Sequence, residues 1–277
     1  MSHKFLRQFK RYGLAGLGGA LIVAWILIAL CAPLIAPDAP NAVDITQRLM
    51  RPNAAHWFGT DSLGRDVLSR VIWGSRISLL AGVAVVLVGG IIGTLVGGLS
   101  TYIGGKVEEG MMRLTDVVMC FPPMILALAV AAALGIGVGN TILAMLVVWW
   151  PKFARLSRSV VIVQRNQEYV EAAKGLGFGH TRIFFRHVLP NSVGALIVLL
   201  TLDVGTAIIT FAGLSFLGLG VVPPTAEWGA MISEGRELVA QWWVATFPGL
   251  AILSIVVGFN FLGDGIRDWL DPRSINR

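Results

Sequence analysis

Apolar residues run along this chain in six long stretches, roughly Leu14–Ile35, Ile77–Tyr102, Leu114–Leu134, Thr141–Val163, Ser192–Leu214 and Trp242–Leu262, separated by shorter polar segments. A helix rising about 1.5 Å per residue needs about 20 apolar residues to cross a hydrocarbon core about 30 Å thick, so each stretch predicts a spanning helix. An even number of spans returns both ends of the chain to one side. The fourth stretch is the least regular: only Thr141–Trp150 is cleanly apolar, and Lys152, Arg155 and Arg158 follow Pro151. It is expected to leave the bilayer and continue as helix. The second carries Gly89, Gly93 and Gly97 at four-residue spacing, with Gly90 and Gly98 beside them, a pattern that lets another helix backbone come close. In the third, Pro122 and Pro123 remove backbone donors and predict a kink or break.

Composition agrees with lipid as the solvent. The 277 residues are 55% hydrophobic and 14% charged, with a mean hydropathy of +0.74, whereas a soluble domain carries about 25% charged residues. The net charge of +6 does not point to nucleic acid, because the basic residues sit in short runs between apolar spans. Sixteen of the 22 lie in the N-terminal tail, around Lys106 and Arg113, in Lys152–Arg186 and in the C-terminal tail. The excess of positive charge on cytoplasmic loops therefore puts both termini in the cytoplasm. Leu14–Ile35 follows Lys4, Arg7, Lys10 and Arg11 but is longer than a signal-peptide core of about 7–15 residues, so it reads as a retained first span. Cys31 and Cys120 fall in spans near opposite membrane faces, which argues against a disulfide. The expected architecture is an all-α membrane protein in three parts. Residues 1–76 form a first span with an external segment, 77–266 a five-helix core with a cytoplasmic loop at 164–191, and 267–277 a cytoplasmic tail.

Three regions carry candidate chemistry. The external segment ends in His56–Arg70, where Asp61–Arg65 and Asp66–Arg70 stand at i,i+4 in the acid-then-base order that favours a helix. A short surface helix capped by Asp61 is expected there, either as a solvated lead into the second span or as a face for an outside partner. Glu227, Trp228, Glu234 and Arg236 form a second external stretch of the same kind, with Trp228, Trp242 and Trp243 as interface anchors. Asp203 lies midway along the fifth span and must point inward, because an ionised side chain at that depth costs at least about 2.5–3.5 kcal/mol. It is a polar contact in a pathway or subunit interface, or a helix-packing residue. Asp116, nearer the cytoplasmic end, is expected to cap its helix or pair with Arg113.

The cytoplasmic loop is charged yet patterned. Asn166–Leu176 spaces Tyr169, Val170, Ala173 and Leu176 to give a short helix one apolar face, ended by Gly177 and Gly179. His180–Val188 forms a second short helix, expected to stop at Leu189-Pro190. Two small helices joined at a glycine corner would make a knob outside the membrane.

Glu171-Ala172-Ala173, three further residues, Gly177 and then Leu189-Pro190 resembles the EAA loop of the permease subunits of ABC importers, with His187 at a position where many members have isoleucine. FGTDSLGRDVLSR at 58–70, LSFLGLGVVPPTAEWGAMI at 214–232 and FNFLGDGIRDWLDP at 259–272 look like the second permease of the dipeptide, oligopeptide and nickel branch. The resemblance implies a type I importer permease fold in the bacterial inner membrane. Its implied partners are a homologous permease, two ATP-binding subunits and an extracytoplasmic solute-binding protein. The ATPase-coupling residues would be Glu171, Ala172, Ala173, Gly177, Leu189 and Pro190. Asp203 would belong to the pathway or interface, and Asp61, Arg65, Asp66, Glu227 and Trp228 would face the binding protein. No GxxxxGK[ST] stretch occurs, so ATP and magnesium are expected on the partners and no cofactor or metal on this chain. It is expected to be no enzyme: all four histidines, His3, His56, His180 and His187, lie outside the spans and show no ligand spacing with cysteine or carboxylate. Peptides are the expected cargo, with nickel or a metal chelate as the alternative. A secondary transporter is a remote rival, since one central carboxylate and no repeat fit it poorly.

Overall fold

A computed structural model describes residues 2–270, and every regular element among them is helical, with one isolated bridge between Thr60 and Asp66. The tail expected at 267–277 begins inside the last helix, which runs to Leu270, and its remainder lies outside the described residues. The long helices are α1 (Ser2–Ile35), α2 (Val67–Ile103), α5 (Val138–Arg165), α8 (Leu189–Phe216) and α10 (Trp243–Leu270). Between them stand α3 (Gly105–Met119), α4 (Pro123–Leu134), the short α6 (Glu168–Gly175) and α7 (His180–Ile183), and α9 (Trp228–Gly235).

Four helical stretches are long and apolar enough to cross a membrane: 13–35 in α1, α2, His180–Phe216 and α10. A fifth appears if α3 and α4 are one span broken by 88°. The break falls at the expected prolines, with Pro122 preceding α4 and Pro123 in its first turn, where a missing N–H costs nothing. The fourth expected span is α5, which continues as unbroken helix through Pro151 and on to Arg165. The boundary expected at residue 76 falls inside α2, which runs straight from the external segment into the membrane.

The glycine spacing in α2 serves the close approach it predicts. A Cβ on Gly93 would lie 2.2 Å from the Trp150 carbonyl oxygen, and one on Gly97 2.1 Å from that of Ala154. Both contacts are backbone on α5, so neither can yield. Small residues also seat α1 on α10, where a Cβ on Gly18 would meet the Gly258 oxygen at 2.6 Å. There Trp25 Nε1 donates to Ser254 Oγ at 2.8 Å.

The N-terminal end of α2 is covered by α9. Trp228 is fully buried, its ring edge-on to Trp25 at 4.9 Å and its Nε1 donating to the Val71 carbonyl at 2.9 Å. It is a core residue rather than the expected interface anchor. Trp243 is buried too, with its Nε1 on the Thr60 carbonyl at 3.1 Å, and of the three tryptophans only Trp242 is exposed.

Gly97→Val is expected to cost at least about 1–3 kcal/mol, the usual penalty for overfilling a packed contact, and to lower the Tm and monodisperse yield of the detergent-purified chain. Gly139→Ala, in a helix where a Cβ meets nothing within 4 Å, is expected to leave both unchanged.

Candidate functional site

The expected knob is built from α6, α7 and the turn between them. Glu168 and Glu171 occupy the first turn of α6, where the helix dipole favours negative charge. The helix ends in a Schellman motif: Phe178 N donates to the Ala173 carbonyl at 3.2 Å and Gly177 N to that of Lys174 at 2.9 Å. Gly177 adopts φ +78°, the left-handed conformation the motif requires.

The knob has its own core. Val170 and Ala173 from α6, Ile183 from α7, and Phe184 and Val188 beyond it pack with Val161 of α5 and with Leu99 and Tyr102 of α2. The knob is thereby fixed to the C-terminal ends of two long helices. Arg165 reinforces the joint, its Nη1 donating to the Thr101 carbonyl at 2.6 Å near the C-terminus of α2. The expected apolar face divides: Val170 and Ala173 enter the core, while Tyr169 and Leu176 stay exposed, Leu176 at 74%. Glu171, Ala172, Lys174 and Gly177 share that outer surface with them, Leu189 is partly buried and Pro190 is exposed.

Leu189-Pro190 does not stop the second helix as expected. Residues Phe184–Val188 form a π-helical turn, with Leu189 N donating to the Phe184 carbonyl, and the chain passes directly into α8 with Pro190 in its first turn. A wider turn makes room for the proline ring and its missing donor, so the helix continues.

Asp203 points inward as expected, 4% exposed, and its carboxylate is paired with Lys152 Nζ from α5. Two further ion pairs follow along α5. Arg155 Nη2 lies 2.5 Å from Asp116 Oδ1, and Arg158 Nε 2.8 Å from Glu108 Oε1, both carboxylates belonging to α3. Asp116 thus pairs across helices rather than with Arg113, which takes Glu109 at 2.5 Å. The signal for these pairs was the cation spacing 152, 155 and 158, which first reads as a weak span.

The acid–base cluster expected outside the membrane is buried rather than solvated. Residues 59–66 form a tight turn, not a surface helix, with Gly59 and Gly64 at φ +72° and +73°. Asp61 is no helix cap; its carboxylate accepts from Leu63 N, Arg65 N and Arg65 Nε at 2.8, 3.0 and 2.6 Å. Asp66 is the N-cap of α2 and accepts from Ser69 N at 2.7 Å, so it does not pair with Arg70. Arg65 and Arg70 reach Glu234 of α9 at 2.8 and 3.2 Å, and Arg70 also donates to the Pro40 and Pro224 carbonyls. Asp61, Arg65, Asp66, Glu227 and Trp228 are each at most 4% exposed, so none offers contact area to a binding protein in this conformation.

The fold also assembles what sequence spacing concealed: ligand-capable atoms of Asp38, His56 and Asp66 lie within 4.8 Å of one another. His56 is engaged by protein groups, its Nδ1 with Asp66 Oδ1 at 2.9 Å and its Nε2 with Gln47 Oε1 at 2.5 Å.

Glu227 caps α9, accepting from Ala230 N at 2.9 Å and from Ser78 Oγ of α2 at 2.9 Å. Burial pushes its carboxyl above the usual glutamate range, against the pull of these donors. With the folded value raised, its stabilising contribution is full below the unfolded value and is lost as pH rises through the folded one. Glu227→Gln is therefore expected to flatten the pH dependence of Tm, with the variant gaining on the parent chain as pH rises from acid to neutral.

The family model described as "Binding-protein-dependent transport system inner membrane component" matches residues 89–276, and that described as "N-terminal TM domain of oligopeptide transport permease C" matches residues 1–52. The probable D,D-dipeptide transport system permease protein DdpC of Escherichia coli K12 is 46% identical over 272 residues, covering 98% of this chain and 91% of the relative. The glutathione transport system permease protein GsiD of Escherichia coli O157:H7 is 46% identical over 273 residues, covering 98% and 90%. Among solved structures, an inward-facing MetNI methionine ABC transporter chain matches with a TM-score of 0.55 at 18% identity, over 69% of this chain and 93% of that one, a likeness of fold.

Proposed function

Because this chain belongs to the binding-protein-dependent transport system inner membrane components, the multi-pass permeases of ABC importers, we propose that it forms half of a pathway for short peptides and carries the coupling site for a separate ATPase. The observation that carries this reading is the knob. Its outer face presents Glu171, Ala172, Leu176 and Gly177, while its inner face shares a core with α2 and α5. A docking element so mounted passes force to the spans instead of absorbing it.

In this reading the chain crosses the inner membrane six times with both termini in the cytoplasm, α3 and α4 forming one broken span and α5 the charged one. The positive charges on Lys152–Arg186 support that orientation. Residues 1–76 supply the first span and external segment, the core to 266 lines the pathway, 164–191 couple, and 267–277 form the cytoplasmic tail. The working unit adds a second, related permease, two ATP-binding subunits that hold ATP and magnesium, and an external solute-binding protein. Peptide cargo is supported by the two relatives, whose names specify a D,D-dipeptide and glutathione. Asp203 sits on the inner side of the bundle, where cargo would pass.

Two substitutions test the coupling. Gly177→Val forces a β-branched residue to φ +78°, at about 1–3 kcal/mol of backbone strain, and Glu171→Lys reverses an exposed charge. Each is expected to lower ATP-dependent peptide uptake at least about tenfold, the factor for about 1.4 kcal/mol at a binding interface, while the subunit remains inserted. Unchanged uptake in both, or failure of the chain to co-purify with its ATPase, would defeat the assignment.

A further inference from the structure

Lys152 and Asp203 occupy matching depths. Lys152 lies fourteen residues after the start of α5 at Val138 and thirteen before its end at Arg165. Asp203 lies fourteen after Leu189 and thirteen before Phe216 in α8. At about 1.5 Å per residue both are about 20 Å from either helix end, and Lys152 stands just past Trp150, where the cleanly apolar part of α5 gives way to its charged part. Yet the Lys152 side chain is 34% exposed. A cation at that depth does not face hydrocarbon, so the exposed side of Lys152 faces water or another subunit.

The rest of α5 favours water. Arg155 and Arg158 continue from Lys152 toward the cytoplasmic end, their side chains 50% and 44% exposed, and each is matched by a carboxylate. The face is polar and, with each cation paired, close to neutral overall. The pair is loosely completed: Asp203 Oδ2 and Trp149 Nε1 are both buried and neither makes a hydrogen bond of good geometry, although the indole N–H is the donor beside the carboxylate. Lys152 Nζ lies 5.4 Å from the centre of the Trp149 ring, on a flexible four-carbon stem.

We propose that Lys152 and Asp203 form the polar subsite of the pathway that selects zwitterionic cargo, peptides with a free ammonium and a free carboxylate. The cargo carboxylate takes Lys152 while the cargo ammonium takes Asp203, whose second oxygen has only the poorly aligned Trp149 indole beside it. Exchanging one ion pair for two leaves no net charge on the site before, during or after passage. That neutrality is what a low-dielectric interior demands. The stem of Lys152 can open the gap to the span of a dipeptide, about 7 Å. The inference rests on the reading of the chain as a peptide-importer permease.

The test uses the whole importer in proteoliposomes, with radiolabelled Ala-Ala and Ala-Ala amide at concentrations that saturate the binding protein for each. The quantity measured is peptide moved per ATP hydrolysed. Lys152→Gln and the double variant K152Q/D203N are expected to lower this ratio for Ala-Ala at least tenfold. Lys152→Arg should recover part of the loss, and preference for the free acid over the amide should narrow in Lys152→Gln. An unchanged ratio in the double variant overturns the subsite, because a contact for packing or for the second permease would move uptake and hydrolysis together. Should the parent importer drive neither peptide with ATP, the peptide-permease reading falls along with the subsite, and that outcome appears before any variant is compared.

Discussion

Hydrocarbon supplies no water to a charge or to an unpaired backbone group, and this constraint organises the molecule. The charges placed on α5 and α8 are answered from other helices: Lys152 by Asp203, Arg155 by Asp116, Arg158 by Glu108. The same economy holds at the external end, where Glu234 serves both Arg65 and Arg70, and Asp61 lies against both guanidiniums. A buried ion pair adds little net stability, but removing one partner strands the other at a cost of about 3–5 kcal/mol. The buried Asp61–Arg65–Arg70 cluster therefore specifies which segment faces which more than it holds the bundle together, whereas the exposed Arg155–Asp116 pair contributes at most about 1 kcal/mol.

Close packing does the holding. The glycines of α2 bring its backbone against α5, and the knob extends that contact past the membrane through Phe184, which lies against Gly98. The knob and the polar pair at Lys152 are thus joined through one closely packed pair of helices, α2 and α5.

Local features were legible in the sequence and distant partners were not. Glycines at 89, 93 and 97 announced a close helix contact, Pro122 and Pro123 a break, and Asn166–Leu176 a short helix ended at Gly177, observed as Glu168–Gly175, because each is decided within a few residues. The pairing of Asp61–Arg65 and Asp66–Arg70 at i,i+4 presumed a helix. Gly59 and Gly64 in left-handed conformations instead hold a turn, which sends Arg65 to Glu234, 169 positions away. Burial of that cluster depends on α9 folding over it, and no local pattern encodes that. Lys152 was visible only as an interruption of an apolar run, since its meaning lies in Asp203 on another helix.

The π-helical turn at Phe184–Val188 amounts to one additional residue wound into an otherwise continuous helix. Each residue advances a helix by about 100°, so this single insertion sets the rotational phase between the knob and α8. Chains that lose or gain a residue there would present a different azimuth to the cytoplasm while keeping the same composition. The angle at which the knob meets its neighbour is in this sense stored in one backbone turn.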